Sequence, residues 1–310
     1  MRKWPLFRAV GRKLGSTGDK PVDGSETWVP KVRIGMVSPA EMAFFYESAA
    51  RYVGKEGAVV DLGCWLGSTS IALAQGILSH GSTADHHQDE KVLGFDIFQW
   101  EDWMPARIPY CRYLAGESFL PEARRIVSEH GGGRVELVQT DLRHYQWDDG
   151  PIKILLVDAM KTEDLAGQIA RSFFPNLVPG SLLIHQDFKH YFTSWIHLIH
   201  YRLREYFRFY RSVPLGTVAF QVVAPIPQEA IKHATDLTSI TDDQIDSSFH
   251  YSLELVEPEE RFNIAAAHVM YYVHTKRKDA ASRTVENYRP IGMLDKGEFP
   301  KALDFLSQLG

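Results

Sequence analysis

Residues 58 to 71 read Ala58-Val-Val-Asp61-Leu-Gly63-Cys64-Trp-Leu-Gly67-Ser68-Thr69-Ser-Ile71, and their pattern decides the fold. An apolar strand ends at Asp61, Gly63 and Gly67 open a loop, and Ser68 and Thr69 turn that loop into the next helix. Glycine has no Cβ and tolerates conformations closed to other residues, so a ligand can approach such a backbone closely. A loop that follows the first strand of an open parallel sheet is where nucleotide-like ligands bind. The spacing is Gly-x-x-x-Gly rather than Gly-x-Gly-x-x-Gly, and no Gly-Lys-Ser/Thr follows to hold a phosphate. A ligand without a phosphate chain is favoured.

Outward from this loop the chain alternates. Strands are expected near 58–62, 92–97, 134–139, 152–157 and 181–186, with helical patterns between them, which argues a mostly parallel sheet with helices on both faces. Upstream, Ser38, Pro39 and Glu41 form a helix start with a capping box, and Phe45, Ala49, Tyr52 and Val53 follow at helical spacing. Downstream, a helix over about 193–205 leads to two β-rich segments, 207–213 and 217–224, separated only by Pro214, Leu215 and Gly216. So short a connection joins antiparallel neighbours.

Three regions follow: a basic N-terminal arm and loop over 1–37, an α/β domain over 38–226 and a helical appendage over 227–310. The appendage contains an acidic stretch (Asp242, Asp243, Asp246, Glu254, Glu257, Glu259 and Glu260) and then a helix over 261–278. It is read as packing on the domain, capping the site or mediating a homodimer. Within 79–90, His80, Asp85, His86 and His87 are read as a polar surface loop, since nothing orders them into one metal geometry.

Composition narrows the class. At 310 residues, with 45% hydrophobic and 24% charged residues, the chain has ample core material. A formal net charge of -5 gives no reason to expect nucleic acid as a partner, and the Asn/Asp-Pro-Pro-Tyr motif of amino-methylating base modifiers is absent. The two cysteines, Cys64 and Cys111, cannot build a disulfide framework and suit a reducing compartment. The basic N-terminus lacks the continuous apolar core of a signal peptide, and no run of 18 apolar residues occurs. A cytoplasmic enzyme without a membrane span is the expectation.

The acidic strand end followed by this glycine loop resembles the first motif of class I S-adenosylmethionine-dependent methyltransferases, over roughly residues 38 to 226. Val60-Asp-Leu-Gly-Cys-Trp-Leu-Gly-Ser-Thr69, Gly94-Phe-Asp-Ile-Phe98 and Leu177-Val-Pro-Gly-Ser-Leu-Leu-Ile-His-Gln-Asp-Phe188 are similar to the macrocin, or antibiotic-sugar, O-methyltransferase group. The resemblance implies a Rossmann-like, seven-stranded, mostly parallel sheet closed by an antiparallel hairpin. It implies S-adenosylmethionine held by Asp61, Gly63, Cys64, Gly67, Ser68 and Thr69, by Asp96 at the ribose hydroxyls, and by Asp141 and Leu142 at the adenine. It further implies a divalent cation, Mg²⁺, between an Asp after the fourth strand and a pair after the fifth: here Asp158, Gln186 and Asp187.

Gln186 departs from the family pattern, which has Asp there, and costs the site one negative charge. Asp158 and Lys161 reproduce the Asp-x-x-Lys spacing of the catechol type, in which the lysine is the base. That role requires neighbouring positive charge and burial to pull the Lys161 pKa down. His185 is expected on the strand face opposite Gln186, within the core. Lys189, His190, Tyr191, Phe192 and Trp195, with Arg202, Arg204, Arg208 and Arg211, are either a binding surface for an anionic or aromatic acceptor or, by the simpler reading, an amphipathic element with a solvated basic face.

The function implied is O-methylation of a hydroxyl on a small acceptor, a sugar or natural product, with optional help from the metal. The alternatives are a metal-independent N- or carboxyl-methyltransferase and a nucleoside-binding module that has lost turnover.

Overall fold

The apolar run from Ala58 forms the third strand across a seven-stranded sheet. The computed structural model describes residues 35–79 and 89–309. The basic arm before Gly35 and the histidine-bearing loop at 80–88 lie outside the described residues. In chain order the elements are α1 (Pro39–Tyr52), β1 (Ala58–Leu62), α2 (Ser68–Leu78), β2 (Val92–Asp96), α3 (Leu120–His130), β3 (Val135–Gln139), β4 (Ile152–Val157), α4 (Glu163–Phe173), β5 (Leu177–His185), α5 (Trp195–Arg202), β6 (Phe207–Ser212) and β7 (Val218–Val222). Five further helices follow: α6 (Gln228–Thr235), α7 (Asp242–Glu254), α8 (Arg261–His274), α9 (Lys278–Tyr288) and α10 (Phe299–Ser307).

The strand order is β3-β2-β1-β4-β5-β7-β6. The first five strands are parallel, while β7 runs antiparallel to both β5 and β6. This is the class I methyltransferase layout that the resemblance implied. The chain steps outward from β1 through β2 to β3, then returns to β4 on the other side of β1. That reversal puts a topological switch point between β1 and β4, and in open α/β sheets ligands bind outside the carboxyl ends of the strands there.

Strand alternation sorts the core into two layers. Val59, Ile154, Leu156, Leu182 and Ile184 pack under α1 and α2, while Val60, Leu62, Leu155, Val157 and Leu183 face α4, α5 and the C-terminal helices. Lys153, the charged residue within β4, is buried, and its amine reaches Glu90 at 2.6 Å and the Lys55 carbonyl at 2.9 Å. The capping box at α1 forms as its sequence predicts, with the Ser38 hydroxyl accepting from the Glu41 N–H and the Glu41 carboxylate accepting from the Ser38 N–H. Glu41 also accepts from Gly216 N–H and the Thr217 hydroxyl, so this cap anchors the β6–β7 turn.

The appendage shares the main core with the sheet. Every residue of α8 from Ile264 to Val273 is buried, as for a helix surrounded by protein on all sides. The acidic stretch holds α7, which the sequence reading did not assign as a helix; Thr241 and Gln244 form a second capping box, and Asp242 and Asp243 sit where the helix dipole favours negative charge. Between α5 and the appendage runs a seam of buried histidines. His185 of β5, His197 and His200 of α5 and His268 of α8 lie among Phe188, Phe220 and Phe249. Both ring nitrogens of His197 and of His200 lack a hydrogen-bond partner among the described residues.

Candidate active site

Register brings the site residues to one level. Leu62 pairs with Phe95 on one side and with Val157 on the other, and Val157 pairs with His185. The next residue of each strand, Asp96, Gly63, Asp158 and Gln186, therefore leaves the sheet at the same edge. Ladder bonds continue one step beyond the strands to hold this level: Gly63 N–H donates to Phe95 O (2.8 Å), Asp158 N–H to Leu62 O (2.8 Å) and Gln186 N–H to Val157 O (3.0 Å).

The glycine loop is shaped by what surrounds it. Gly63 has φ +86° and Gly67 φ +88°, in the left-handed region that side chains disfavour. A Cβ on Gly63 would stand 2.7 Å from the Asp158 carbonyl oxygen, and one on Gly67 would stand 2.4 Å from a Val127 methyl. The protein itself needs both glycines before any ligand does. Trp65 and Phe98 also have positive φ, 48° and 50°, in the loops after β1 and β2. Gly67 offers no side-chain cap to α2, which leaves first-turn N–H groups for an anionic ligand group.

Asp61 lies beneath this loop rather than in it. It is fully buried, and one oxygen accepts from both the Thr69 and the Ser70 hydroxyls at 2.6 Å. Burial pushes its carboxyl up to about 6 against the pull of those two donors. Asp61, Cys64 and Thr69, expected among the cofactor contacts, are buried and brace the loop from within.

Asp96 is the residue that faces outward. It accepts from Phe98 N–H (2.8 Å) and Trp65 N–H (3.0 Å), one on each oxygen. A carboxylate oxygen accepts twice, so each oxygen keeps room for one ribose hydroxyl. Burial raises its carboxyl above the usual range, with the backbone donors pulling the other way. Asp141 is engaged by Arg143, whose guanidinium binds both oxygens at 2.6 to 3.0 Å, and adenine would have to compete with that exposed pair. Leu142 is buried beside it.

Asp158, Lys161, Gln186 and Asp187 form one cluster. The Lys161 ammonium donates to Asp158 Oδ1 (2.6 Å) and also to Asp187 Oδ2. The Gln186 amide nitrogen donates to Asp158 Oδ1 and Asp187 Oδ1, 3.1 Å each; turned the other way, its oxygen would face two carboxylates. Asp158 Oδ2 has no donor among the described residues. Burial pushes the Asp158 carboxyl up, the Lys161 charge pulls it back and Asp187 pushes it up again, leaving it at about 7.

Two expected roles meet opposing surroundings here. Lys161 was to be a base with a lowered pKa; burial does pull it down, but the charges of Asp158 and Asp187 outweigh burial and hold the ammonium above the usual lysine range. Half of this side chain meets water, so solvent screens its ion pairs. Gln186 was to be a metal ligand through its oxygen, whereas its neighbours take amide hydrogens. Lys189 is likewise no free cation for an acceptor: it is buried, and its ammonium binds Glu260 at 2.8 Å and Val213 O at 2.5 Å. The arginines beyond it serve the chain itself, as in Arg202 donating to His233 O and Asp236 O.

Sequence reading missed the part taken by the appendage. Glu298 accepts from Tyr191 N–H (3.4 Å), a ring nitrogen of His274 lies 3.1 Å from Phe192 O, and Glu260 holds Lys189. All three reach the 187–194 loop that continues from Asp187. No local pattern announces such contacts, because the partners lie 71 to 107 residues away.

No protein-family model matches the chain, and no curated protein does. Among solved structures, the O-methyltransferase NovP is similar at 14% identity and a TM-score of 0.48, over 61% of this chain and 82% of its own. The calicheamicin methyltransferase CalS11 is similar at 13% and 0.42, over 58% and 77%. Phosphoethanolamine N-methyltransferase 1 of Haemonchus contortus, solved with phosphoethanolamine and S-adenosylhomocysteine, is similar at 12% and 0.37, over 63% and 47%. Likeness of this degree assigns no reaction or substrate to this chain. Any functional reading rests on the strand order and the site residues.

Proposed function

We propose that the chain is an S-adenosylmethionine-dependent methyltransferase acting on a hydroxyl of a small acceptor. One observation carries this reading: Gly63 stands between Asp96 and Asp158 at the switch point, so a nucleoside loop and an acid–base cluster abut at one edge. Asp96 would hold the ribose diol, and the start of α2 would receive the amino-acid carboxylate. When bound, S-adenosylmethionine supplies an electrophilic methyl carbon on a cationic sulfur.

The chain's own residues then have two tasks, to place an oxygen in line with that carbon and to take its proton. Asp158 Oδ2 is the free acceptor, and a carboxyl at about 7 is suited to proton transfer at neutral pH. Asp158 would take the hydroxyl proton as the acceptor oxygen is methylated. Lys161 has three donors and spends two on carboxylates, leaving one to orient the acceptor oxygen. The appendage, through Glu260, His274 and Glu298, fixes the loop that borders the acceptor.

Transfer of labelled methyl to a panel of sugars, phenols and hydroxylated natural products tests the reading. Activity on a hydroxyl acceptor that falls by about 10²- to 10⁴-fold in Asp158→Asn, with S-adenosylhomocysteine affinity unchanged, is the expected result. Undiminished turnover in Asp158→Asn would remove the base assignment. Methylation of amines alone would favour the N-methyl alternative.

A further inference from the structure

The resemblance implies a divalent cation at Asp158, Gln186 and Asp187, and the residues present do not fit one. We propose that Lys161 is the resident cation of this edge, standing where a divalent ion shared by Asp158 and Asp187 would stand and thereby excluding it. The Lys161 ammonium contacts one oxygen of each carboxylate. Gln186 closes the other side by giving amide hydrogens to both, so it acts as a second donor rather than as a ligand. A hard cation needs about six oxygen ligands in close array, and it would enter here against a fixed positive charge.

The charge count agrees. With Asp158 ionised, two carboxylates and one ammonium leave the cluster at no more than about -1, and the Gln for Asp exchange removes the charge that a divalent ion would need beside Lys161. Among the described residues no group of three His, Cys, Asp or Glu side chains is placed to hold a metal. The lysine performs the neutralising task with its own chain. This inference deepens the proposed reaction at the same site, but its test uses neither cofactor nor acceptor and so stands or falls separately.

Mn²⁺ accepts the ligands that suit Mg²⁺ and is followed directly by electron paramagnetic resonance, so it is the probe. Wild-type protein, Lys161→Met and Lys161→Met/Asp187→Asn are titrated to roughly millimolar Mn²⁺, with circular dichroism verifying the fold of each. Wild type should bind no Mn²⁺ at this site up to the millimolar ceiling, Lys161→Met should gain one ion with a Kd about tenfold or more below that ceiling, and the double variant should lose it again. One ion bound by wild type and lost in Asp187→Asn would overturn the proposal. A folded Lys161→Met that gains no ion would overturn it equally, because the lysine would then not be what excludes the metal. Should Lys161→Met not fold, Lys161→Gln takes its place, with the same two outcomes.

Discussion

Replacing His197 by Phe should make the protein markedly more resistant to acid. His197 is buried with neither ring nitrogen partnered among the described residues, between Phe188 at 4.8 Å and Phe249 at 4.9 Å between ring centroids. Burial holds its imidazole down at about 3, with the other buried histidines adding repulsion. A histidine whose folded pKa lies below its unfolded value of about 6.5 binds fewer protons folded than unfolded in the window between them. Stability is therefore lost as pH falls below about 6.5, and the loss grows until about pH 3.

At pH 4.5 the loss is about two pH units, or about 3 kcal/mol for this one side chain. The raised carboxyls of Asp61 and Asp158 work in the opposite direction, since they take up protons on folding between their unfolded and folded values. The wild-type pH profile alone is thus a sum of opposed effects. The difference between variant and wild type isolates the histidine. Urea and thermal melts at pH 7.5 and 4.5 should show His197→Phe gaining about 3 kcal/mol on wild type over that interval, roughly 4 to 6 °C in Tm for a chain of this length. A difference between the two proteins that does not change with pH would refute the neutral, buried assignment.

Three further outcomes are expected. Gly63→Ala should lower Tm more than Gly116→Ala: both glycines have positive φ, but a Cβ at Gly63 meets the Asp158 carbonyl at 2.7 Å and one at Gly116 meets nothing within 4 Å. Equal losses in the two variants would show that only backbone strain matters. The kcat/KM profile should rise with pH through about 7, as Asp158 reaches its proton-accepting form, and Asp158→Asn should flatten that limb. Glu298→Ala should raise the acceptor KM by several-fold with S-adenosylhomocysteine affinity unchanged, since Tyr191 N–H loses its partner; an unaltered acceptor KM would separate the appendage from acceptor binding.

Much of the frame was legible because it rests on local chemistry. Periodicity gave the five parallel strands, Pro214-Leu215-Gly216 gave the hairpin, and Ser38 with Glu41 gave the first cap. The lengths were less so: β5 begins at Leu177, four residues before the expected start, because Pro179 and Gly180 read as a turn yet are carried within the strand. Candidate site residues were placed by topology, since Asp96 ends a strand and Asp158 and Gln186 each follow one. Their surroundings were not legible. Lys161 is held up by Asp158 and also by Asp187, which lies 26 residues away and comes near only through β4–β5 pairing. Asp61 stood among the cofactor contacts through the resemblance alone, and the packing of α2 brings Thr69 and Ser70 onto its carboxylate.

All of the proposed chemistry depends on the loop between Asp96 and Asp158 holding S-adenosylmethionine. Isothermal calorimetry with S-adenosylhomocysteine and with NAD, on wild type and Asp96→Ala, tests this most directly. The expected result is one S-adenosylhomocysteine per chain, weakened by about 1 to 3 kcal/mol in Asp96→Ala through lost charge-assisted hydrogen bonds, and no NAD binding. Tight NAD binding without a response to S-adenosylhomocysteine, or an affinity untouched by Asp96→Ala, would contradict it.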